Sequence, residues 1–217
     1  MSRREAYVRP ATIRSLSWFV GLVGVVAAVA GPVYAVNGAT QAGAAVEVPV
    51  ELAGVGDSGA LDRVPLAVPD LPQGAAVAAQ NQGDGLALSA WDSTIAEQLL
   101  ARGDAVVLGL AVGVGAWLLR SVLTSVAAGR AFGTDNARRL NGLAVVVVVA
   151  GGIGPLLPQI GSLVVLDRLD LVGAGSPFVM GLTFGFPPVL LTGLLLVVLA
   201  EAFRQGERLS QDVEGLV

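Results

Sequence analysis

The sequence predicts a membrane all-α fold: four transmembrane helices with a small β-containing extracytoplasmic insertion between helices 1 and 2. Three observations carry that expectation. Of 217 residues, 54% are hydrophobic and 14% charged, with a mean hydropathy of +0.73; a soluble domain carries about 25% charge. The charges cluster between uncharged runs, as in a polytopic membrane protein. Arginine is distributed unevenly among the segments that join those runs.

Residues 1–15 hold Arg3, Arg4, Arg9 and Arg14 and form a basic N-terminal segment. The run 16–36 follows, with Ser17 its only clearly polar side chain. At about 1.5 Å per residue it reaches about 30 Å, the thickness of the hydrocarbon core. A cleavable signal peptide is the competing reading, because a basic start and Ala28-Val29-Ala30 fit a processing site. The run continues to Val36, longer than an ordinary signal core, and favours an uncleaved first span.

Residues 37–104 change character. Val46, Val48, Val50 and Leu52 alternate with Glu47, Pro49 and Glu51, the period of a half-buried strand. Val64, Leu66 and Val68 alternate again, and Leu86 and Leu88 follow the turn signal Gly83-Asp84-Gly85. Prolines 49, 65 and 69 belong at sheet edges. The result is a small β unit, too short for a comfortable core of its own, that leans on the membrane domain or a partner. Thr94-Ile-Ala-Glu97 reads as a capping box opening a short helix over 95–102. Trp91 reads equally as a headgroup anchor or as a core residue of the β unit.

The second span covers 105–128. Arg120 lies near its end, and Gly109-xxx-Gly113 permits a close helix contact. The loop 129–141 carries Arg130, Arg138 and Arg139, with Thr134 or Asp135 placed to cap the next helix. The third span covers 142–166, with Pro155 and Pro158 expected to kink or end its outer half. A short loop, 167–177, leads to the fourth span, 178–200. That span holds Gly181-xxx-Gly185 and a Pro187-Pro188 pair expected to bend it in mid-membrane. A polar, amphipathic tail occupies 201–217.

Orientation follows from arginine counting. With the N-terminus inside, ten arginines fall on the inner side and three (Arg63, Arg102, Arg168) outside, while eleven of the seventeen acids fall outside. Both termini are then cytoplasmic in a multi-pass membrane protein.

Chemistry is thinly represented. The chain has neither Cys nor His, so thiolate metal sites, disulfides and the commonest general base are all excluded. No span carries an acid at mid-depth; Glu201 stands at the inner end of the fourth, where it and Arg120 are candidates to pair. Phosphate-loop, dinucleotide and zinc-protease motifs are absent, and the net charge of −4 argues against direct nucleic-acid binding. The expectation is no enzyme, no cofactor and no metal. Nine acids between Glu47 and Asp104 lack calcium-loop spacing and read as a solvated surface.

Gly129-Arg130, Phe132, Asn136, Arg138, Arg139 and Leu140, together with Phe203, Arg204, Gly206, Leu209, Asp212, Glu214 and Val217, resemble the DUF2975 family of bacterial four-span membrane proteins. Ala131 and Gly133 depart from the family's usual proline and threonine or serine. The resemblance implies four spans, no settled activity, and a partnership with a small helix-turn-helix regulator. The candidate partner-binding set is therefore Arg130, Phe132, Asn136, Arg138, Arg139, Phe203, Arg204, Gly206 and Leu209. Phe132 and Phe203 would anchor apolar contacts, and the arginines would meet an acidic partner or lipid headgroups. The competing reading is structural: arginines that set topology, phenylalanines that pack at the interface, and an asparagine that shapes a turn. The expected role is a regulatory, sensor or accessory membrane protein; the alternative is a subunit of a transporter or channel assembly. Homo-oligomers through the Gly-xxx-Gly faces fit either.

Overall fold

The structure, a computed structural model, describes residues 10–52, 68, 71–79, 85–130, 132–173, 175–179 and 186–214. In chain order it holds α1 (Pro10–Ala39), β1 (Val46–Leu52), β2 (Ala75–Ala79), β3 (Leu86–Ala90), α2 (Ile95–Ala101), α3 (Gly103–Ala127), α4 (Thr134–Ile153), α5 (Leu156–Arg168), β4 (Phe178–Val179) and α6 (Phe186–Glu214). The expectations for Arg3, Arg4, Arg9, Arg63, Val64, Leu66, Asp84 and Gly181-xxx-Gly185 lie outside the described residues. Among the described residues, four helices are long and apolar enough to cross a membrane: Thr12–Ala39, Gly103–Ala127, Asp135–Arg168 and Pro187–Leu209. The chain divides into two compact units.

The first unit comprises Met1–Gly31, Leu108–Gly152 and Gly185–Val217. Its helices meet through small residues. A Cβ on Gly109 would stand 2.5 Å from the Ala27 carbonyl oxygen, one on Gly24 would stand 2.4 Å from the Ala116 Cβ, and one on Gly113 would stand 2.7 Å from the Ala28 Cβ. α1 and α3 thus approach backbone to backbone, as small-xxx-small seams do. The Gly109/Gly113 face is occupied by α1 of the same chain and is not free for a second copy. Leu118 and Leu143 seat on Gly142 and Gly115 between α3 and α4, and Val189 and Val148 seat on Gly151 and Gly193 between α4 and α6. The large apolar side chains face outward instead: Trp18, Phe19, Val25, Trp117, Val145, Leu194, Leu195 and Val198 are all exposed. Small residues inside and bulky apolar ones outside invert the soluble pattern, and an apolar surface of this extent needs lipid or a partner.

The second unit comprises Pro32–Val107 and Ile153–Phe184. It is built on an antiparallel four-stranded sheet in the order β2-β3-β1-β4. β1 pairs with β3 from Val46↔Ala90 to Val50↔Leu86, and β2 pairs with β3 from Ala75↔Ala90 to Ala79↔Leu86. The alternation in β1 holds, with Val46, Val48 and Val50 buried and Glu47 exposed. Pro49 is tolerated because β4 is two residues long and covers only Glu51 and Leu52, so Pro49 faces no described strand on that side. β2, an Ala-Ala-Val-Ala-Ala segment, was not legible as a strand; it is held by its pairing with β3 and by fully buried Val77.

Residues 156–166, expected as the outer half of the third span, lie within the third apolar stretch, Asp135–Arg168; beyond the expected break at Pro155 they form a separate helix, α5, which packs on α2 and β1. Val165 and Leu166 join the sheet core with Val46, Val48, Leu88 and Phe178. Pro155 opens α5 and separates it from α4, as a residue without a backbone N–H does. Phe178 and Val179, expected to begin the fourth span, are β4 instead. The fourth helix starts at Phe186, so Pro187-Pro188 sit in its first turn, where missing N–H groups leave no broken bond, and they do not bend it in mid-helix.

Candidate functional site

The site grows from the end of α3. Gly129 adopts φ +74°; Gly129 N–H donates to the Val126 carbonyl and Arg130 N–H to the Ser125 carbonyl, both at 3.0 Å. This is a Schellman-type stop, and the left-handed residue it requires is the glycine. The stop fixes the Arg130 carbonyl, which gathers three donors: Ser125 Oγ at 2.9 Å, Gly133 N–H at 3.2 Å and Asn136 Nδ2 at 3.3 Å. Asn136 Nδ2 also reaches Ser125 Oγ at 3.1 Å, while its Oδ1 accepts from Arg139 Nη1 at 3.1 Å. Arg139 Nη1 in turn donates to the Ser121 carbonyl at 3.2 Å. Asn136, 0% exposed, is therefore the hub that closes the α3–α4 turn and ties Arg139 across to α3.

A second cluster forms on the other side of the turn. The Phe132 and Phe203 ring centroids lie 5.6 Å apart with planes tilted by 53°, a favoured aromatic geometry. Gly206 lets Phe132 approach α6: a Cβ there would stand 2.5 Å from Phe132 Cδ1. The resemblance residues Phe132, Phe203 and Gly206 are thus one contact, a clasp between the turn and α6.

The nine candidate residues separate accordingly. Asn136 and Arg139 are engaged in closing the turn, and Phe132, Phe203 and Gly206 in the clasp. Arg130, Arg138, Arg204 and Leu209 are exposed, Leu209 at 67%. Arg204 pairs with Glu201 one turn earlier, and Glu201 also accepts from Gln205 Nε2. Arg120 and Glu201, candidates to pair, do not form an ion pair; the Arg120 side chain lies along α1, where a Cβ on Gly21 would stand 3.0 Å from its Nη1.

Sequence reasoning missed Ser121, Thr124 and Ser125. With Arg130, Gly133, Asp135 and Arg139 they line a cavity of about 390 Å³ at this end of the unit. Their signal was present: the three hydroxyls recur at i, i+3 and i+4, one face of the last turns of α3. Among the described residues no group of three or more acids is placed to hold a metal ion.

In the second unit the polar centre is Glu97. The capping box is formed, with Glu97 N–H donating to Thr94 Oγ1 at 3.2 Å and Thr94 N–H donating to Glu97 Oε2 at 2.8 Å. Its other oxygen accepts from Arg168 Nε at 2.7 Å. Beside it, fully buried Gln98 donates to Ser93 Oγ and to the Ala45 carbonyl and accepts from Arg102, whose guanidinium lies 5.7 Å from the Tyr34 ring centroid. These groups satisfy one another and read as scaffold.

Comparison with known protein families, curated proteins and solved structures finds no match to this chain.

Proposed function

We propose that the chain is a non-catalytic, multi-pass membrane protein of regulatory, sensor or accessory type whose arginine-rich end docks an acidic cytoplasmic protein. The observation that carries this reading is the division of labour around the α3–α4 turn. Asn136, Arg139 and the Phe132–Phe203 clasp hold the backbone, while Arg138 and Leu209 are left exposed on a rigid frame. An exposed arginine on α4 and an exposed leucine on α6, carried by helices whose turn is held by these contacts, suit a partner that presents acidic and apolar side chains. The arginine asymmetry of the sequence supports placing this end in the cytoplasm of a bacterial inner membrane. The resemblance to the DUF2975 family, with its motif residues gathered at this end, supports a small helix-turn-helix regulator as the partner.

The transport-subunit alternative rested on helices broken in mid-membrane. Pro187 and Pro188 occupy the first turn of α6 and supply no such break, while Pro155 separates α4 from α5 within the third apolar stretch, Asp135–Arg168.

The test is affinity purification in mild detergent of wild type and an Arg138→Glu/Leu209→Glu variant, at equal membrane levels. A protein partner recovered with wild type and lost from the variant is expected. Identical partner sets from the two would contradict the docking reading.

A further inference from the structure

The cavity beside the α3–α4 turn has a composition that partner docking does not use. Its walls carry two guanidinium groups, Arg130 and Arg139, the hydroxyl residues Ser121, Thr124 and Ser125, and one carboxylate, Asp135. Asp135 stands 3.8 Å from Arg139 and is 74% exposed on its side chain, a weak, solvated pair. Among the described residues Arg130 meets no acid. The described lining residues therefore carry one net positive charge, which matches a single negative charge better than two. At about 390 Å³ the space lies within the range of small-ligand pockets, about 300–1,000 Å³.

Depth supplies the second observation. α1 runs antiparallel to α3, with Gly24 against Ala116 and Gly21 against Arg120. One further turn along that register brings Trp18 level with Ser121–Thr124. Trp18 and Trp117 are exposed at 65% and 67%, and tryptophans of this kind mark the headgroup level of a bilayer. The cavity is thus placed where the apolar surface ends and the arginines begin.

From the guanidinium pair, the hydroxyls, the charge balance and the tryptophan level, we infer that this cavity binds a phosphate monoanion, the phosphodiester of an anionic phospholipid headgroup. Arg130 supplies planar donors free to close on the phosphate. Arg139, held by Asn136 and the Ser121 carbonyl, supplies the preorganised side. The inference does not depend on the docking reading, which rests on Arg138 and Leu209.

The experiment uses the full chain, delipidated in a neutral maltoside detergent. Binding of phosphatidylglycerol, phosphatidylcholine and inorganic phosphate is followed by native mass spectrometry and by the shift in melting temperature. Saturable binding of phosphatidylglycerol in preference to phosphatidylcholine is expected, weakened about tenfold in Arg130→Gln, the loss of one charged hydrogen-bonding group. Arg208→Gln, which removes an equal charge at an exposed residue that does not line the cavity, is expected to bind as wild type does. Thr124→Glu, which adds a second carboxylate to the cavity, provides an independent variant and is expected to abolish binding. Inorganic phosphate bound without lipid, and with the same dependence on Arg130, would support the phosphate site and assign it to a free anion. No saturable binding of either probe, or equal losses in Arg130→Gln and Arg208→Gln, would overturn the inference.

Discussion

Arg168 and Glu97, 71 residues apart in sequence, form a salt bridge of 2.7 Å in which the Glu97 side chain is 1% exposed. The same carboxylate caps α2 through Thr94, so one side chain joins the start of α2 to the end of α5. Removing one partner of a buried pair costs about 3–5 kcal/mol, because the other is left uncompensated. The Arg168 side chain is 27% exposed, which places Glu97→Ala near the lower end of that range. Arg168→Met is expected to destabilise at least as much, since it leaves the buried carboxylate alone. Glu97→Met/Arg168→Met is expected to melt above either single variant in detergent. Additive losses in the double variant would show that the pair is not coupled.

The α1–α3 seam gives a prediction with an internal control. Gly109→Ala places its methyl 2.5 Å from a backbone carbonyl, whereas Gly115→Ala meets only the end of the Leu143 side chain at 3.2 Å. Overpacking against rigid backbone costs about 1–3 kcal/mol. Gly109→Ala is expected to lower the melting temperature and Gly115→Ala to leave it nearly unchanged. Equal effects would mean that the seam is looser than described.

The Phe132–Gly206 contact is testable by a double-mutant cycle. Gly206→Leu should expel Phe132 and lose its contact with Phe203, worth about 0.5–1.5 kcal/mol. In a Phe132→Ala background the same change should cost much less, since the space is then free. A coupling energy near zero would remove the clasp from the site.

Topology can be read with little background, because the chain contains no cysteine. Gln73→Cys and Arg138→Cys both replace exposed residues. From the arginine distribution, an impermeant maleimide is expected to label Gln73→Cys from outside the membrane and Arg138→Cys only after permeabilisation. The reverse pattern would invert the orientation.

What could be read from the sequence was local. The capping box, the alternation of β1, the Gly109/Gly113 seam and the stop at Pro155 each sit within a few residues and were legible. What could not be read was tertiary. Hydropathy does not distinguish an apolar face turned to lipid from one turned to a sheet, so Val165 and Leu166 looked like span residues. An alanine-rich segment such as β2 carries little strand propensity. It becomes a strand through pairing with β3. At the site, the arginines and phenylalanines were visible as types. Their division into scaffold and surface depends on Asn136 reaching Ser125, eleven positions away.

The most direct measurement replaces Leu209 with a photo-crosslinking amino acid in native membranes. Leu209 is 67% exposed, and its replacement leaves every charge in place. Irradiation is expected to give one discrete protein adduct, lost when Arg138→Glu is added. Adducts to lipid alone, or a protein adduct indifferent to Arg138, would contradict a docking role for the arginine-rich end.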